Sequence, residues 1–260
     1  KIGGDAYVLP SFALTNGDGA NILGADHGGL KAGGRLDFLP FGKFNSHGQY
    51  RGPDMAYELT PKLVFGATYS YNSGMSDRRG RQSGQVLYRD SLGKEALPDY
   101  AKFGADFLFK FRGFTMLGEY VNANAIVPAT ITQRVRNDGT VSTAFLVNGV
   151  QNVSDYVKGR IITGSAVNVQ AGYLFSSGIS VDGRFTRMMP ATNSFLTNGT
   201  FYNRSKYYTV CVGKYLSRNY GAKLQASFTY TKAEPGTLSV LGTTITGNEL
   251  SGALQLTIAL

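Results

Sequence analysis

The chain has a single cysteine, no tryptophan and no long apolar run, and each shortage limits what the protein can be. Cys211 alone cannot form a disulfide within the chain or supply a C-x-x-C metal site. No stretch of ~18 apolar residues occurs, which excludes a transmembrane helix. Residues 1–5 lack the apolar segment of a signal peptide, so we expect either a removed leader or a start inside a longer chain.

What the chain does contain is a two-residue alternation. From Lys102 to Arg112 every second residue is phenylalanine or alanine, and most of the residues between them are charged or glycine. Successive side chains on a strand point to opposite faces, so this segment predicts a strand with one apolar and one charged face. Its length suits a membrane-crossing strand, for which ~9–11 residues suffice.

The alternation recurs along the chain and predicts about ten strands. We place them at 5–16, 30–40, 62–72, 101–112, 114–123, 166–176, 179–188, 205–216, 221–231 and 247–260. Short links alternate with long polar loops at 73–99, 124–165, 189–203 and 232–245, as in barrels with short periplasmic turns and long outer loops. The exception is 42–60, which is long but falls on the short-turn side. The sequence therefore predicts an all-β fold, a transmembrane antiparallel β-barrel forming one domain over residues 1–260 of a bacterial outer-membrane protein.

Short aromatic and glycine motifs resemble the phosphate-selective porin O and P family of outer-membrane porins. They are GRLDFLPFG at 34–42, TPKL at 60–63, LGEYVN at 117–122, TNG at 15–17, VQAGY at 169–173 and LQL at 254–256. The resemblance implies a barrel of about sixteen strands that assembles as a trimer. With about ten strands here, it implies either N-terminal strands outside this chain or a shorter relative that closes with ten. Leu260 replaces the aromatic residue that ends many such barrels.

The charges that face the lumen decide what a barrel admits. Alternation places eight cations and five anions there. They are Lys31, Arg35, Lys62, Lys102, Lys110, Arg112, Arg184 and Lys223, against Asp37, Asp106, Glu119, Asp182 and Glu249. This excess, with a formal net charge of +9, favours anions. The sequence therefore predicts a porin, a passive diffusion channel for small hydrophilic solutes that prefers anions, with phosphate as a candidate. The alternative is that these charges pair across strands and only keep the lumen wet.

Two long loops, 73–99 and 124–165, could fold inward and narrow the channel. The first contains four arginines that would form a basic gate: Arg78, Arg79, Arg81 and Arg89. The alternative is an exposed loop in contact with anionic lipopolysaccharide. Tyrosines near the predicted strand ends are expected in aromatic girdles at the membrane surfaces. They are Tyr7, Tyr69, Tyr71, Tyr120, Tyr173, Tyr215 and Tyr230.

Two other functions stay open. A docking barrel in a larger outer-membrane complex would use the same basic loops to hold a partner. An outer-membrane protease would need a histidine oriented by a carboxylate, but His27 and His47 fall on opposite sides and no G-x-S-x-G motif occurs. We therefore expect no enzyme activity and no cofactor. The expected partners are outer-membrane lipids, lipopolysaccharide, small anionic solutes and further copies of the chain, and the dispersed cations argue against nucleic acid.

Overall fold

The computed structural model describes residues 1–17, 27–76, 87–136, 138–197, 204–217, 221–234 and 247–258, and its main element is an antiparallel sheet of ten strands. In sheet order these are β1 (Tyr7–Thr15), β2 (Lys31–Leu39), β3 (Lys62–Asn72), β5 (Asp99–Phe111), β6 (Phe114–Ile126), β11 (Gly164–Leu174), β12 (Ile179–Pro190), β13 (Arg204–Tyr215), β14 (Ala222–Ala233) and β15 (Glu249–Ile258). The minor strands are β4 (Leu87–Arg89), β7 (Gln133–Val135), β8 (Val141–Ser142), β9 (Leu146–Val147) and β10 (Val150–Gln151). Helical turns are α1 (Val153–Lys158) and the 3-10 helices Asn45–Tyr50 and Phe195–Thr197.

The all-β prediction is confirmed, and each of the ten predicted strands has its counterpart in this sheet. Each main strand pairs with the next main strand along the chain, because antiparallel neighbours can be joined by a direct link. β1 and β15 are the two edges, and no pairing between them is found in the described part of the chain. In the same part, no helix is long and apolar enough to span a membrane.

The links between strands divide the sheet ends into two rims. The strand ends that are joined by the links 40–61, 112–113, 175–178 and 216–221 form what we call the short-turn rim. The strand ends that are joined by the links 16–30, 73–98, 127–163, 191–203 and 234–248 form the long-loop rim. The alternation of short and long links is thus as predicted, with 40–61 as the exception.

The sheet has two chemically different faces, because residues paired across strands share a face. Asp106, for example, lies opposite Gly66 on one side and Glu119 on the other, and Glu119 lies opposite Asn168. We call this polar side the cavity face. On the opposite side, the outer face, large apolar side chains are exposed on strand after strand. They include Phe12 (74% exposed), Phe65 (48%), Val210 (58%), Phe228 (62%) and Leu254 (75%).

A second folded unit, the cap, lies at the long-loop rim and is built from links that the sequence predicted as loops. β4, β7 and β8 form a small sheet, β9 and β10 form a hairpin, and α1 follows. Their buried side chains form an apolar core that contains Tyr88, Phe145, Val157 and Ile161. This core also includes Tyr100 of β5 and Ala125 of β6, which lie on the cavity face. Described residues of both long loops, 73–99 and 124–165, therefore pack together at the long-loop end of the cavity face.

Phe145 is fully buried in the cap core, where it packs against the rings of Tyr88 and Tyr156 at centroid distances of 6.1 and 5.3 Å. We expect Phe145→Ala to cost roughly 3–5 kcal/mol of local stability, because it leaves a cavity among these rings. Hydrogen exchange should show faster exchange in 127–163 with unchanged exchange in β11 to β14. Equal loss of protection in the cap and the main sheet would contradict an independently packed cap.

Candidate functional site

The main cavity lies on the cavity face and has a volume of about 810 Å³. Nine of the ten main strands, all but β15, contribute to its wall, so the sheet curves around it. Its floor is formed by Gln49 to Pro53, which belong to the long link at the short-turn rim. We call residues 40–61 the infolded segment, because this link turns back onto the cavity face instead of extending away from the rim.

Lys110 of β5 attaches the infolded segment to the sheet. Its Nζ donates to the carbonyl oxygen of Gly48 at 2.9 Å and to that of Pro53 at 3.1 Å. The side chain is 1% exposed. A buried ammonium is tolerated only when its hydrogens find acceptors, and these two carbonyls serve that purpose. Lys110 therefore does not present a charge to the cavity, contrary to the prediction that it lines the channel.

Two buried carboxylates fix the path of the infolded segment. Asp54 accepts hydrogen bonds from the backbone N–H of Glu58 at 3.0 Å and of Gly113 at 2.9 Å, so it ties the segment to the turn between β5 and β6. The Glu58 carboxylate accepts from the backbone and the side-chain amide of Asn45 at 2.6 and 2.7 Å. Both acids are 1% exposed. They balance the buried charge of Lys110 and close the segment into a compact loop.

Apolar packing completes this attachment. Phe44 is 5% exposed and packs with Leu39, Val64 and Leu108 on the cavity face. Side chains thus fill the end of the cavity at the short-turn rim, whereas the space between Gln49 to Pro53 and the long-loop rim is open. The infolded segment therefore narrows the space that the sheet surrounds.

Among the predicted cations, Arg35 has its charge balanced by neighbouring carboxylates. Its Nη1 and Nη2 donate to Asp106 at 2.6 and 2.8 Å, and Nη2 also lies 2.7 Å from Asp37 Oδ1. Gly66 lies between these groups, and a Cβ there would come within 2.0 Å of the guanidinium. Glycine at this position thus makes the bidentate pair with Asp106 possible. The alternative prediction, pairing across strands, holds for this part of the cavity.

The opposite wall has a different charge balance. Arg184 of β12 and Lys223 of β14 both line the cavity, together with the polar side chains of Gln170, Thr209 and Gln225. Asp182 is the acid of this wall and is close enough to Lys223 to interact with it electrostatically. No ion pair of Arg184 or Lys223 is found among the described residues. This wall, more than that of Arg35, therefore presents positive charge to the cavity.

A smaller recess of about 380 Å³ lies on the same face nearer the long-loop rim. Lys31 and Lys102 contribute to its wall with Ser70, Thr68 and Thr15. The ammonium of Lys102 lies 5.1 Å from the centre of the Tyr100 ring, whose hydroxyl donates to Ile162 O in the cap at 2.5 Å. Lys31 and Lys102 therefore face the space between the main cavity and the cap.

The other predicted lining residues have structural partners at the rims or on the wall. Lys62 Nζ donates to Phe41 O at 2.8 Å, Glu119 accepts from Asn168 at 2.9 Å, and Glu249 lies 2.5 Å from Arg204. Arg112 is placed wrongly by the prediction. β5 ends at Phe111, and Arg112 lies in the following turn with φ of +47° and its guanidinium 5.1 Å from the Phe111 ring.

The predicted basic gate is only partly described. Arg78, Arg79 and Arg81 lie outside the described residues, as does Leu260. Arg89 belongs to β4 of the cap, where its backbone bridges to Glu95, and it is not among the residues that line the main cavity.

Several other side chains occupy positions that the sequence did not predict. Of the predicted girdle tyrosines, Tyr7 and Tyr215 lie on the cavity face, since they pair with Leu39 and Lys223. His27 and His47 lie at opposite rims, as predicted, but the contact of His27 with Glu95, at 2.5 Å, was not predicted. The residues of the infolded segment were missed altogether. Their only signal was a long link on the side where short turns were expected.

Comparisons with protein-family models, with curated proteins and with solved structures found no match to this chain.

Lys110→Met should loosen the infolded segment, because the carbonyl oxygens of Gly48 and Pro53 lose their donor while Asp54 and Glu58 keep their buried charge. An unpaired buried acceptor costs roughly 1–3 kcal/mol, so amide exchange in 40–61 should rise at least about tenfold. Lys62→Met is the matched control, since Lys62 makes one exposed hydrogen bond to the same segment. Equal effects of the two substitutions would show that Lys110 has no special role.

Proposed function

We propose that this protein is a bacterial outer-membrane β-barrel porin through which small hydrophilic solutes diffuse, with a preference for anions. The observation that carries the proposal is the distribution of side chains over the two faces. Large apolar and aromatic side chains are exposed along the outer face, whereas most charged side chains of the main strands lie on the cavity face, among them Arg35, Asp106, Arg184 and Lys223. A water-soluble sheet would bury its apolar face, whereas a membrane barrel exposes that face to lipid.

Closure of the sheet is part of this proposal. In a bilayer every backbone N–H and C=O needs a partner within the protein, so the edges β1 and β15 have to be paired. They pair with each other in a ten-stranded barrel, or with further strands in a larger one. The resemblance to the phosphate-selective porin O and P family favours the larger barrel and a homotrimer. It also makes phosphate a candidate solute.

The infolded segment is the constriction of the proposed channel. It narrows the cavity from the short-turn rim, and its residues Gln49 to Pro53 face the open space. The cap lies over the other end of the same face. A solute would thus pass beneath the cap, along Lys31 and Lys102, and then between Arg184, Lys223 and the infolded segment.

Anion preference depends in this proposal on the wall formed by β12 to β14. Arg35 is balanced by two acids and Lys110 is buried, so neither adds much to the potential in the channel. Arg184 and Lys223 face the cavity with Asp182 as their neighbouring acid. Charges in a water-filled space with low-dielectric walls act strongly on passing ions, so two cations suffice for a measurable preference.

The test is the reversal potential of the purified protein in a planar bilayer under a chloride gradient, repeated with phosphate. The wild type should show a reversal potential shifted toward the equilibrium potential of the anion. The double variant Arg184→Gln with Lys223→Gln should shift the reversal potential toward zero or reverse its sign. Arg187→Gln with Lys206→Gln is the matched control, because it removes the same two charges from the outer face. Absence of conductance would overturn the porin proposal.

Insertion of the outer face into lipid is tested by Val210→Arg. Val210 lies mid-strand on the outer face and is 58% exposed, so in water this substitution would cost little. At the centre of a bilayer it should cost ~2–4 kcal/mol. Urea unfolding from lipid vesicles measures the difference, and Ser251→Arg on the cavity face is the control. Similar costs at both positions would argue against a lipid-facing outer face.

A docking barrel in a larger complex is the second candidate, and one observation favours it. The cap exposes apolar side chains at its surface, among them Leu92 (79%), Leu146 (56%) and Val150 (67%). A partner bound there would cover them. Co-purification of a stoichiometric outer-membrane protein, together with a silent bilayer, would select this function over the porin.

A further inference from the structure

Three cations lie side by side on the outer face near the long-loop rim. Arg187 of β12 is the register partner of Lys206 of β13, and Lys206 is the partner of Lys232 of β14. Directly paired residues have Cβ atoms ~5 Å apart, so the three side chains form one row across three adjacent strands. We call Arg187, Lys206 and Lys232 the cation row.

The cation row has no counterion among the described residues. None of its members takes part in an ion pair, and Arg187 and Lys232 are exposed. Like charges directly opposite each other destabilise a sheet. A row of three is therefore costly on its own and gains most from an anion held above it.

The surroundings of the row indicate the depth at which it lies. One step further from the rim, on the same face, Phe185, Tyr208 and Tyr230 form a second row on the same three strands. Their rings are in contact, with centroids 5.2 Å apart for Phe185 and Tyr208 and 6.2 Å apart for Tyr208 and Tyr230. Beyond them lie the exposed apolar side chains Val210 and Phe228. Apolar, aromatic and cationic layers thus follow one another toward the rim, as they do at a membrane surface.

The row is also unusual within its own face. Along the outward-pointing positions of the ten main strands, the other charged residues are Asp99 and Lys214. Asp99 lies at the start of β5 and accepts hydrogen bonds from the Tyr71 hydroxyl and from the Gly74 N–H. Lys214 lies near the short-turn rim and donates to Ser177 O at 2.6 Å. The outer face therefore has a single cluster of positive charge, and it lies at one rim on one side of the sheet.

We propose that the cation row binds the phosphate groups of lipopolysaccharide, with the lipid A acyl chains lying against the aromatic and apolar rows below. This inference uses the membrane position given to the outer face in the proposed function, and it names a site that passage of solutes does not need. A phosphorylated lipid satisfies both parts of the surface at once. Inorganic phosphate would neutralise the cations but leave the rings and aliphatic side chains beside them uncovered.

The test is retention of lipid A by the full chain in detergent, followed by native mass spectrometry. The probes are bis-phosphorylated lipid A, the same lipid without its phosphates, and inorganic phosphate as a competitor. Each cation near an anionic lipid surface contributes ~1 kcal/mol, so the triple variant R187Q/K206Q/K232Q should bind lipid A about 100-fold more weakly. R187K retains the charge and should bind as the wild type does.

The triple variant K31Q/K102Q/K223Q is the matched control, because it removes three cations from the cavity face and should leave lipid A binding unchanged. Unweakened binding by R187Q/K206Q/K232Q, or equal binding of the dephosphorylated lipid, would overturn the proposal. Displacement of lipid A by an equal concentration of inorganic phosphate would assign the row to free phosphate instead. A variant that loses lipid A while the wild-type conductance persists leaves the porin proposal intact. A silent channel that still binds lipid A overturns only the porin.

Discussion

The whole arrangement depends on the cross-strand register of the main sheet. Nine antiparallel pairings connect the ten strands, and one irregularity, between Arg204 and Lys206, is found among them. A slip of one residue would send every later side chain to the opposite face. Because the register holds, Leu117, Gln170, Arg184 and Thr209 remain on one face although four different strands supply them. The cavity, the apolar outer face and the cation row all follow from this single constraint.

A buried ammonium is the next determinant. Lys110 is held under the infolded segment by two carbonyl oxygens, with Asp54 and Glu58 nearby. Removing three charged groups from water is costly, and the cost is offset only when each group is fully hydrogen-bonded. The backbone N–H groups of Gly113 and Asn45 supply the bonds that the two acids need. The segment thus has one well-defined position, which suits a constriction better than a mobile loop would.

Sequence predicted the strands well and the links poorly, for a physical reason. Alternation is a local pattern, and it located β5 and β14 to within a few residues and placed Arg35, Asp106 and Arg184 on one face. The infolded segment and the cap depend on contacts between distant parts of the chain, such as Lys110 with Gly48 or Phe145 with Tyr88. The two-residue alternation of the sequence carries no information about such contacts. Assigning residues to faces by this alternation also failed at a strand end, because Arg112 lies in a turn and not in β5.

The number of charged residues on a face likewise does not determine the electrostatic potential in the cavity. The formal excess of positive charge is +9. Within the cavity, however, Arg35 is matched by Asp37 and Asp106, and Lys110 is inaccessible. Part of the excess lies instead on the outer face, in Arg187, Lys206 and Lys232, on the side of the sheet opposite the cavity. In our two proposals these surfaces have different ligands, small anions on the cavity face and lipid phosphates on the outer face. A preference for anions then depends on where the uncompensated cations lie, at Arg184 and Lys223, rather than on how many the chain contains.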